Sequence, residues 1–149
     1  MKIFQEEVLQ QFNHFYKELD DLYHEISTAT GLSDSAFDVM YVVATLGDGC
    51  LQRDICREAF VSKQTVNSSV RNLEKKGFLL LEQHGRDKQI YLTDQGKEFS
   101  EQKIHPVIQM ENKIFMDLEP EERKEFVRLF RKYVDIFERH EKILLEDLK

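Results

Sequence analysis

Residues 61–77 read VSKQTVNSSVRNLEKKG, and this stretch decides the fold that the sequence predicts. Ser62 is a favourable N-cap residue, because its hydroxyl accepts a hydrogen bond from a free amide of the first helical turn. Gly77 stands where a left-handed glycine commonly ends a helix. Between them, aliphatic side chains recur at helical spacing at Val66, Val70 and Leu73. The stretch therefore predicts a helix of about four turns with one buried side.

The opposite side of this helix carries amides, hydroxyls and cations and no carboxylate. Its residues are Gln64, Ser68, Arg71 and Lys75, flanked by Asn67 and Asn72. Such groups hydrogen-bond base edges and phosphates in the DNA major groove. A solvated surface helix is the alternative interpretation of this stretch alone, because polar outer faces are common in globular proteins.

The neighbouring residues favour the interpretation as a DNA-binding element. Residues 51–59 (LQRDICREA) predict a short helix, and a turn of two or three residues joins it to Ser62, which is helix-turn-helix spacing. Residues 78–82 (FLLLE) and 89–93 (QIYLT) predict two strands around a polar tip at residues 83–88. A hairpin that directly follows the second helix of the motif is a wing.

Over residues 51–98 the sequence resembles the MarR-type (multiple antibiotic resistance regulator) winged helix-turn-helix transcription factors. The run at residues 61–78 is similar to the family's recognition helix and first wing strand. IYLTDQGKEF at residues 90–99 is similar to its second wing strand and the start of the next helix. The resemblance implies a DNA-binding regulator of transcription.

Two positions depart from the family pattern. The family usually carries Asp-x-Arg in the wing, where the Asp braces the Arg that enters the minor groove. Here the register gives His84-Gly85-Arg86, so the arginine carries over and its brace does not. Phe60 stands where the turn often has glycine, and a bulky residue at positive φ is costly. The resemblance therefore does not fix the geometry of this turn.

The residue chemistry and the resemblance together assign a set of side chains to DNA. Phosphate contacts are expected from Lys63, Arg71 and Lys88. Hydrogen bonds to the DNA backbone are expected from Ser62 and Thr65. Base-edge contacts are expected from Gln64, Asn67, Ser68 and also Arg71. Arg86 is expected in the narrow minor groove.

The charge distribution agrees with this assignment. The formal net charge of −7 argues against a protein that coats nucleic acid without selectivity. Residues 51–92 nevertheless carry eight cations against five carboxylates, a net of +3, and the rest of the chain carries −10. An acidic remainder repels DNA and favours one docking orientation.

The rest of the chain predicts long helices. They are expected over residues 3–27, from residue 34 to a stop at residues 47–49, from about residue 95 to 116 with a kink at Pro106, and from Pro120, at the first helical position, to about residue 148. The helix that starts at residue 34 is the most apolar and should form the core. The fold class is therefore mainly α (α+β), a winged helix-turn-helix with N- and C-terminal dimerisation helices.

The first and last helices are too apolar to be solvated tails. The first carries two apolar rows, which implies burial between two neighbours or against a partner chain. We interpret residues 1–149 as a single chain of this type, with a DNA-binding lobe at residues 33–95 and a helical dimerisation region at residues 1–30 and 96–149. A two-fold homodimer implies an inverted-repeat operator on double-stranded DNA.

The remaining features bound partners and location. No apolar run reaches the roughly 18 residues of a membrane span, and acidic residues interrupt the N-terminus where a signal peptide is apolar, which predicts a cytoplasmic protein without a membrane partner. The resemblance implies a small-molecule effector, and hence a ligand-responsive repressor. Neither a cofactor nor a catalytic motif is expected, so the chain is not interpreted as an enzyme.

Other regulatory classes remain open at the level of sequence. Cys50 and Cys56 do not make a disulfide framework, and a packed thiol is the preferred interpretation of Cys56 over a redox sensor. The five histidines are scattered and give no readable metal-ligand set, although related regulators bind zinc. A metal- or redox-responsive regulator of the same fold is therefore one alternative. The other is a winged helix that binds proteins without DNA selectivity.

Overall fold

The computed structural model describes all 149 residues and shows a mainly helical chain with a small antiparallel sheet, as the sequence predicts. The elements are α1 Glu7–Thr30, α2 Asp34–Leu46, β1 Cys50–Leu51, α3 Gln52–Glu58, α4 Lys63–Lys75, β2 Leu79–His84, β3 Asp87–Leu92, α5 Asp94–Phe99, a π-helical segment Ser100–Ile104, α6 His105–Asp117 and α7 Pro120–Asp147. The sheet order is β1, β3, β2. The chain divides into two compact units, Met1–Pro106 and Val107–Lys149.

Helix α2 forms the centre of the first unit, as predicted. Ser33 caps its N-terminus, where the hydroxyl accepts from the Ala36 amide at 3.2 Å. Val39, Met40 and Val43 on α2 have no exposed surface. α2 packs against α4, whose aliphatic residues are also buried. Burying side chains of this size contributes about 1.5 to 3 kcal/mol each, so this contact fixes α4 against the core.

Helix α1 begins at Glu7, four residues after the predicted start at Ile3. The Glu6 carboxylate caps it by accepting from the amides of Val8 and Leu9 at 2.8 and 3.2 Å. The apolar spacing alone did not reveal this cap, because Phe4, which precedes the cap, still fits the apolar row. Within the chain, only the C-terminal part of α1 is buried, at Ser27.

Three side chains connect α1 to the start of α2. His24 Nδ1 lies 2.9 Å from one Asp34 carboxylate oxygen, and the buried Ser27 hydroxyl donates to the other. The hydrogen bond and the charge of Asp34 raise the pKa of His24. The hydrogen bonds from Ser27 and His24 lower the pKa of Asp34. The cluster therefore favours a charged pair at the joint between the two helices.

The helix after the wing is interrupted before Pro106. Residues 94–99 are α-helical, Ser100–Ile104 widen into a π segment, and an α-helix resumes at His105. The His105 amide donates to the Ser100 carbonyl, five residues back. Pro106 cannot donate, because its ring replaces the amide hydrogen. The sequence predicts a kink at this proline, and the structure shows a widened turn that ends two residues before it.

Helix α7 starts as predicted, with Pro120 in its first turn and a capping box in which the Glu119 amide donates to Glu122 at 2.9 Å. None of its residues is buried within the chain. Its large exposed apolar residues are Phe126, Val127, Leu129, Phe130, Tyr133, Phe137, Ile143, Leu144 and Leu145. No helix combines the length and apolar content needed to span a bilayer.

Gly96 allows the start of α5 to approach closely the backbone of Phe78, the residue just before β2. A Cβ on Gly96 would lie 2.0 Å from the carbonyl oxygen of Phe78. One turn further along α5, Phe99 stacks on Phe78 with ring centroids 4.6 Å apart. Only glycine fits at this contact, because the obstructing atom belongs to the backbone and cannot rotate away.

We predict that Gly96→Ala destabilises the chain. Alanine gains about 1 kcal/mol of helix propensity, but overpacking against a backbone atom costs more, giving a net loss of roughly 2 kcal/mol. Thermal unfolding should show a melting temperature lower by about 4 to 8 °C. Glu101→Ala, on the exposed side of the following segment, serves as the control and should change stability by less than about 0.5 kcal/mol. Equal melting temperatures for Gly96→Ala and the wild type would contradict the close approach.

The His24–Asp34 pair should make stability depend on pH. A raised His24 pKa contributes stability that is present below about pH 6.5 and is lost as the pH rises through the folded value. A lowered Asp34 pKa contributes stability that is present above about pH 4 and is lost at lower pH. Denaturant unfolding should therefore show the largest difference between wild type and His24→Gln near pH 5 to 6 and a smaller one at pH 8.5. A constant difference for His24→Gln across this pH range would refute the linkage.

Candidate nucleic-acid interface

The structure places the two sides of α4 in opposite environments. Val66, Val70 and Leu73 are 0 to 1% exposed and face α2. The outer side carries four exposed residues, Gln64, Ser68, Arg71 and Lys75. We call these four residues the outer face of α4. Packing of the aliphatic side therefore determines which polar groups reach solvent.

Both ends of α4 are defined as the sequence predicts. The Ser62 hydroxyl accepts from the Thr65 amide at 3.2 Å and lies 2.9 Å from the Thr65 hydroxyl. At the other end Gly77 has φ of +80°, its amide donates to Glu74, and the Phe78 amide donates to the Leu73 carbonyl. These two bonds form a Schellman motif, which satisfies carbonyls that a helix end leaves free.

The polar side chains of α4 differ in the partners they have within the chain. The Ser68 hydroxyl donates to the Gln64 carbonyl at 3.2 Å. Asn67 is half-buried, and its side-chain oxygen accepts from the Gln52 amide of α3. The side chains of Gln64 and Arg71 make no hydrogen bond or ion pair and are available to a ligand.

The turn between α3 and α4 is built without a left-handed residue, although Phe60 replaces the glycine common in the family. The Phe60 amide donates to the Asp38 carboxylate of α2 at 2.9 Å, while its ring is 96% exposed. Burial raises the pKa of Asp38, and this hydrogen bond lowers it. The role of Asp38 was not predicted from the sequence, because its only local signal is a carboxylate within an apolar helix.

The wing is longer and its tip shorter than predicted. β2 and β3 pair up to His84 opposite Asp87, so only Gly85 and Arg86 form the turn instead of six residues. Gly85 has φ of +62° and Arg86 a negative φ, the sign pattern of a type II′ hairpin. Arg86 and Lys88 are exposed without an ion-pair partner. The wing thus presents two unpaired cations near its tip.

A third strand, which was not predicted from the sequence, connects the wing to the core. β1 pairs with β3 through Cys50 opposite Ile90. Just before β1, the Asp48 carboxylate accepts from the Leu92 amide at 2.8 Å and lies 3.4 Å from Lys97 of α5. A two-residue strand is too short to leave an alternating pattern, so sequence periodicity could not reveal it.

An ion pair between α3 and the wing lies close to His84, the position where the MarR-type family usually has the Asp that braces the wing arginine. Arg53 Nη1 lies 3.2 Å from Oδ1 of Asp87, the residue that follows Arg86 in the chain. His84, at the position where the family usually has Asp, lies instead 3.3 Å from Glu82. Both partners of the Arg53–Asp87 pair are partly exposed, so its contribution to stability is at most about 1 kcal/mol. It limits where the tip can lie relative to α3.

The groups relevant to metal or redox regulation are dispersed. No group of three or more His, Cys, Asp or Glu side chains is arranged to hold a metal ion. Cys50 and Cys56 are free and half-buried. Burial raises the pKa of the Cys50 thiol, which lowers its thiolate fraction and hence its reactivity.

Comparisons with known proteins agree with this geometry. Residues 30–90 match the model of the MarR family. The transcriptional regulator YwoH of Bacillus subtilis, of the helix-turn-helix type and itself uncharacterized, is 26% identical over 106 residues, covering 70% of this chain and 77% of YwoH.

Solved structures of low sequence identity show the same fold. A MarR family regulator from Neisseria meningitidis superposes with a TM-score of 0.74 at 23% identity, covering 95% of this chain and 99% of that one. BpsR of Bordetella bronchiseptica, whose DNA binding is regulated by 6-hydroxynicotinic acid, superposes with a TM-score of 0.67 at 22% identity, covering 91% and 98%.

These findings define a winged helix-turn-helix protein: two helices joined by a tight turn, followed by a hairpin that a third strand connects to the core. Over residues 30–90 the chain is similar to the MarR family, and its fold is that of the solved MarR-type structures. The relatives named above are described as a transcriptional regulator of the helix-turn-helix type and a MarR family regulator.

Proposed function

We propose that the protein is a homodimeric, ligand-responsive repressor that binds an inverted-repeat operator in the cytoplasm. The observation that carries the proposal is the outer face of α4, which is exposed, free of carboxylates and rich in groups without an internal partner. The unpaired cations of the wing extend this surface. A winged-helix module that binds only proteins would not need such a face.

Each part of this surface suits a different part of the duplex. Phosphate contacts fall to Lys63, Arg71 and Lys88, and hydrogen bonds to the DNA backbone fall to Ser62 and Thr65. Base-edge contacts come from Gln64, Ser68 and Arg71. Asn67 lies beside these three residues on α4. Arg86 at the two-residue tip enters the minor groove.

The apolar surfaces of the terminal helices support a homodimer. Phe130 of α7 is 51% exposed and Phe15 of α1 is 63% exposed within the single chain. Each of these helices repeats such residues along its length, and monomeric soluble proteins rarely expose contiguous apolar patches of that kind. A second copy of the chain would cover them and would place two recognition helices about one turn of DNA apart.

Regulation by a small ligand is proposed from the relatives. NadR has been solved in complex with 4-hydroxyphenylacetate, at a TM-score of 0.66 and 15% identity, and BpsR responds to 6-hydroxynicotinic acid. Such a ligand acts only if it binds the DNA-competent and DNA-incompetent states with different affinity. The dispersed histidines and half-buried cysteines favour this class over a metal- or redox-responsive regulator.

The wing contact is tested with Arg86→Ala. Selection of bound duplexes from random DNA first provides the operator, which we expect to be an inverted repeat. Arg86→Ala should weaken binding about tenfold and reduce the slope of log Kd against log salt by roughly one, with an unchanged melting temperature. Lys103→Ala removes the same charge from the π segment and should leave both quantities near the wild-type values. Unchanged affinity for Arg86→Ala would remove the wing from the mechanism.

The homodimer is tested with Phe130→Asp. A carboxylate at this position cannot be buried against an apolar partner, so analytical ultracentrifugation at micromolar concentration should show a dimer for the wild type and a monomer for the variant. Phe60→Asp makes the same chemical change at a phenylalanine that is more exposed and lies outside the terminal helices, and it should remain dimeric. A monomeric wild type would contradict the proposed assembly.

A further inference from the structure

The polar side chains along α4 are not equally able to hydrogen-bond a base. Asparagine and glutamine recognise adenine with two bonds, in which the amide nitrogen donates to N7 and the amide oxygen accepts from the N6 amino group. Both amide groups must therefore be free. Gln64 meets this condition, because its side chain has no partner within the chain.

Asn67 does not meet this condition. Its side-chain oxygen already accepts from the side-chain nitrogen of Gln52, the first residue of α3. Asn67 is also half-buried, whereas Gln64 and Arg71 are exposed. To read an adenine with two bonds, Asn67 would have to give up its contact with α3.

The environment of Gln52 makes that exchange unfavourable. The side-chain oxygen of Gln52 is buried and has no hydrogen-bond partner. The bond from the Gln52 side-chain nitrogen to Asn67 is thus the only hydrogen bond that the Gln52 side chain makes. If that bond broke, both polar atoms of the amide would lack protein partners, which is costly inside a protein. The bond should therefore persist when DNA is bound.

We propose that Gln52 and Asn67 are positioning residues that fix the rotation of α4 relative to α3, and that Gln64 is the residue that determines specificity for adenine. The inference rests on the proposed DNA-binding function and refines it. Asn67 lies three residues after Gln64 and four before Arg71. Its contact with Gln52 is therefore located between the two side chains whose positions it fixes. Side-chain tips lie about 6 Å from a helix axis, so a rotation of about 20° displaces them by about 2 Å, enough to misplace a bidentate contact.

The test measures the pattern of base preference as well as affinity. The operator is selected from random duplexes with the wild-type protein, and every base pair of one half-site is then changed singly. Dissociation constants are measured on all of these duplexes for wild type, Gln64→Ala, Asn67→Ala, Gln52→Ala and the Gln52→Ala/Asn67→Ala double variant. Ratios between duplexes on one preparation do not depend on the fraction of folded protein, so partial misfolding cannot mimic the result.

The proposal expects two distinct patterns. Gln64→Ala should lose its preference at one A·T pair by about tenfold and keep the others. Asn67→Ala and Gln52→Ala should each reduce the preference at every base pair that Gln64 and Arg71 contact, because α4 is no longer held in rotation, and the double variant should lose no more preference than either single one. Asn72→Ala, an exposed asparagine on the same helix without a side-chain partner, is the control and should be additive with Gln52→Ala.

Other results would overturn the assignment. If Asn67→Ala loses preference at a single base pair while Gln52→Ala does not, Asn67 is a base reader. A side-chain amide NMR spectrum gives an independent measure, because the Gln52 resonances should keep their chemical shift and hydrogen-exchange protection when the operator is added. Loss of that protection would show that Asn67 has turned towards DNA. If the wild type enriches no sequence at all, the proposed function itself fails, which is a separate and recognisable outcome.

Discussion

The packing of α4 against α2 is the contact on which the rest of the structure depends. Val66, Val70 and Leu73 are buried on one side of α4, and helical geometry then directs Gln64, Ser68 and Arg71 outwards. No separate device is needed to expose the polar face, because burial of the aliphatic face has already done so. Any change that rotates α4 on α2 would therefore lower stability and move the exposed polar groups together.

Three carboxylates within residues 33–95 stabilise the architecture of this lobe instead of opposing its basic surface. Asp38 accepts from the Phe60 amide in the turn, Asp48 accepts from the Leu92 amide of β3, and Asp87 pairs with Arg53. Each carboxylate is directed to a partner within the lobe. The cations at the outer surface consequently remain unpaired, and the net charge of a region understates the positive potential that DNA would meet.

Sequence periodicity could predict the elements whose signals are local. The caps of α2, α4 and α7 and the buried sides of α2 and α4 were all predictable, because each depends on residues within a few turns of one another. Contacts between distant residues were not: Asp38 lies 22 positions from Phe60, and Asp48 lies 44 positions from Leu92. Such pairs leave no periodic pattern. The same limit applies to Asn67, whose residue type suggests a base contact and whose partner on α3 is 15 positions away.

The joint between α1 and α2 supplies a physical route between the proposed dimerisation and the proposed DNA binding. α1 carries exposed apolar rows, and its C-terminal part is held to α2 through His24, Ser27 and Asp34. α2 in turn supplies the surface for α4 and the carboxylate that holds the turn before it. A displacement of α1 therefore cannot leave α4 unaffected unless the joint itself breaks. A ligand that binds beside α1 would need no direct contact with α4 to alter DNA affinity, provided that it favours one arrangement of this joint over another.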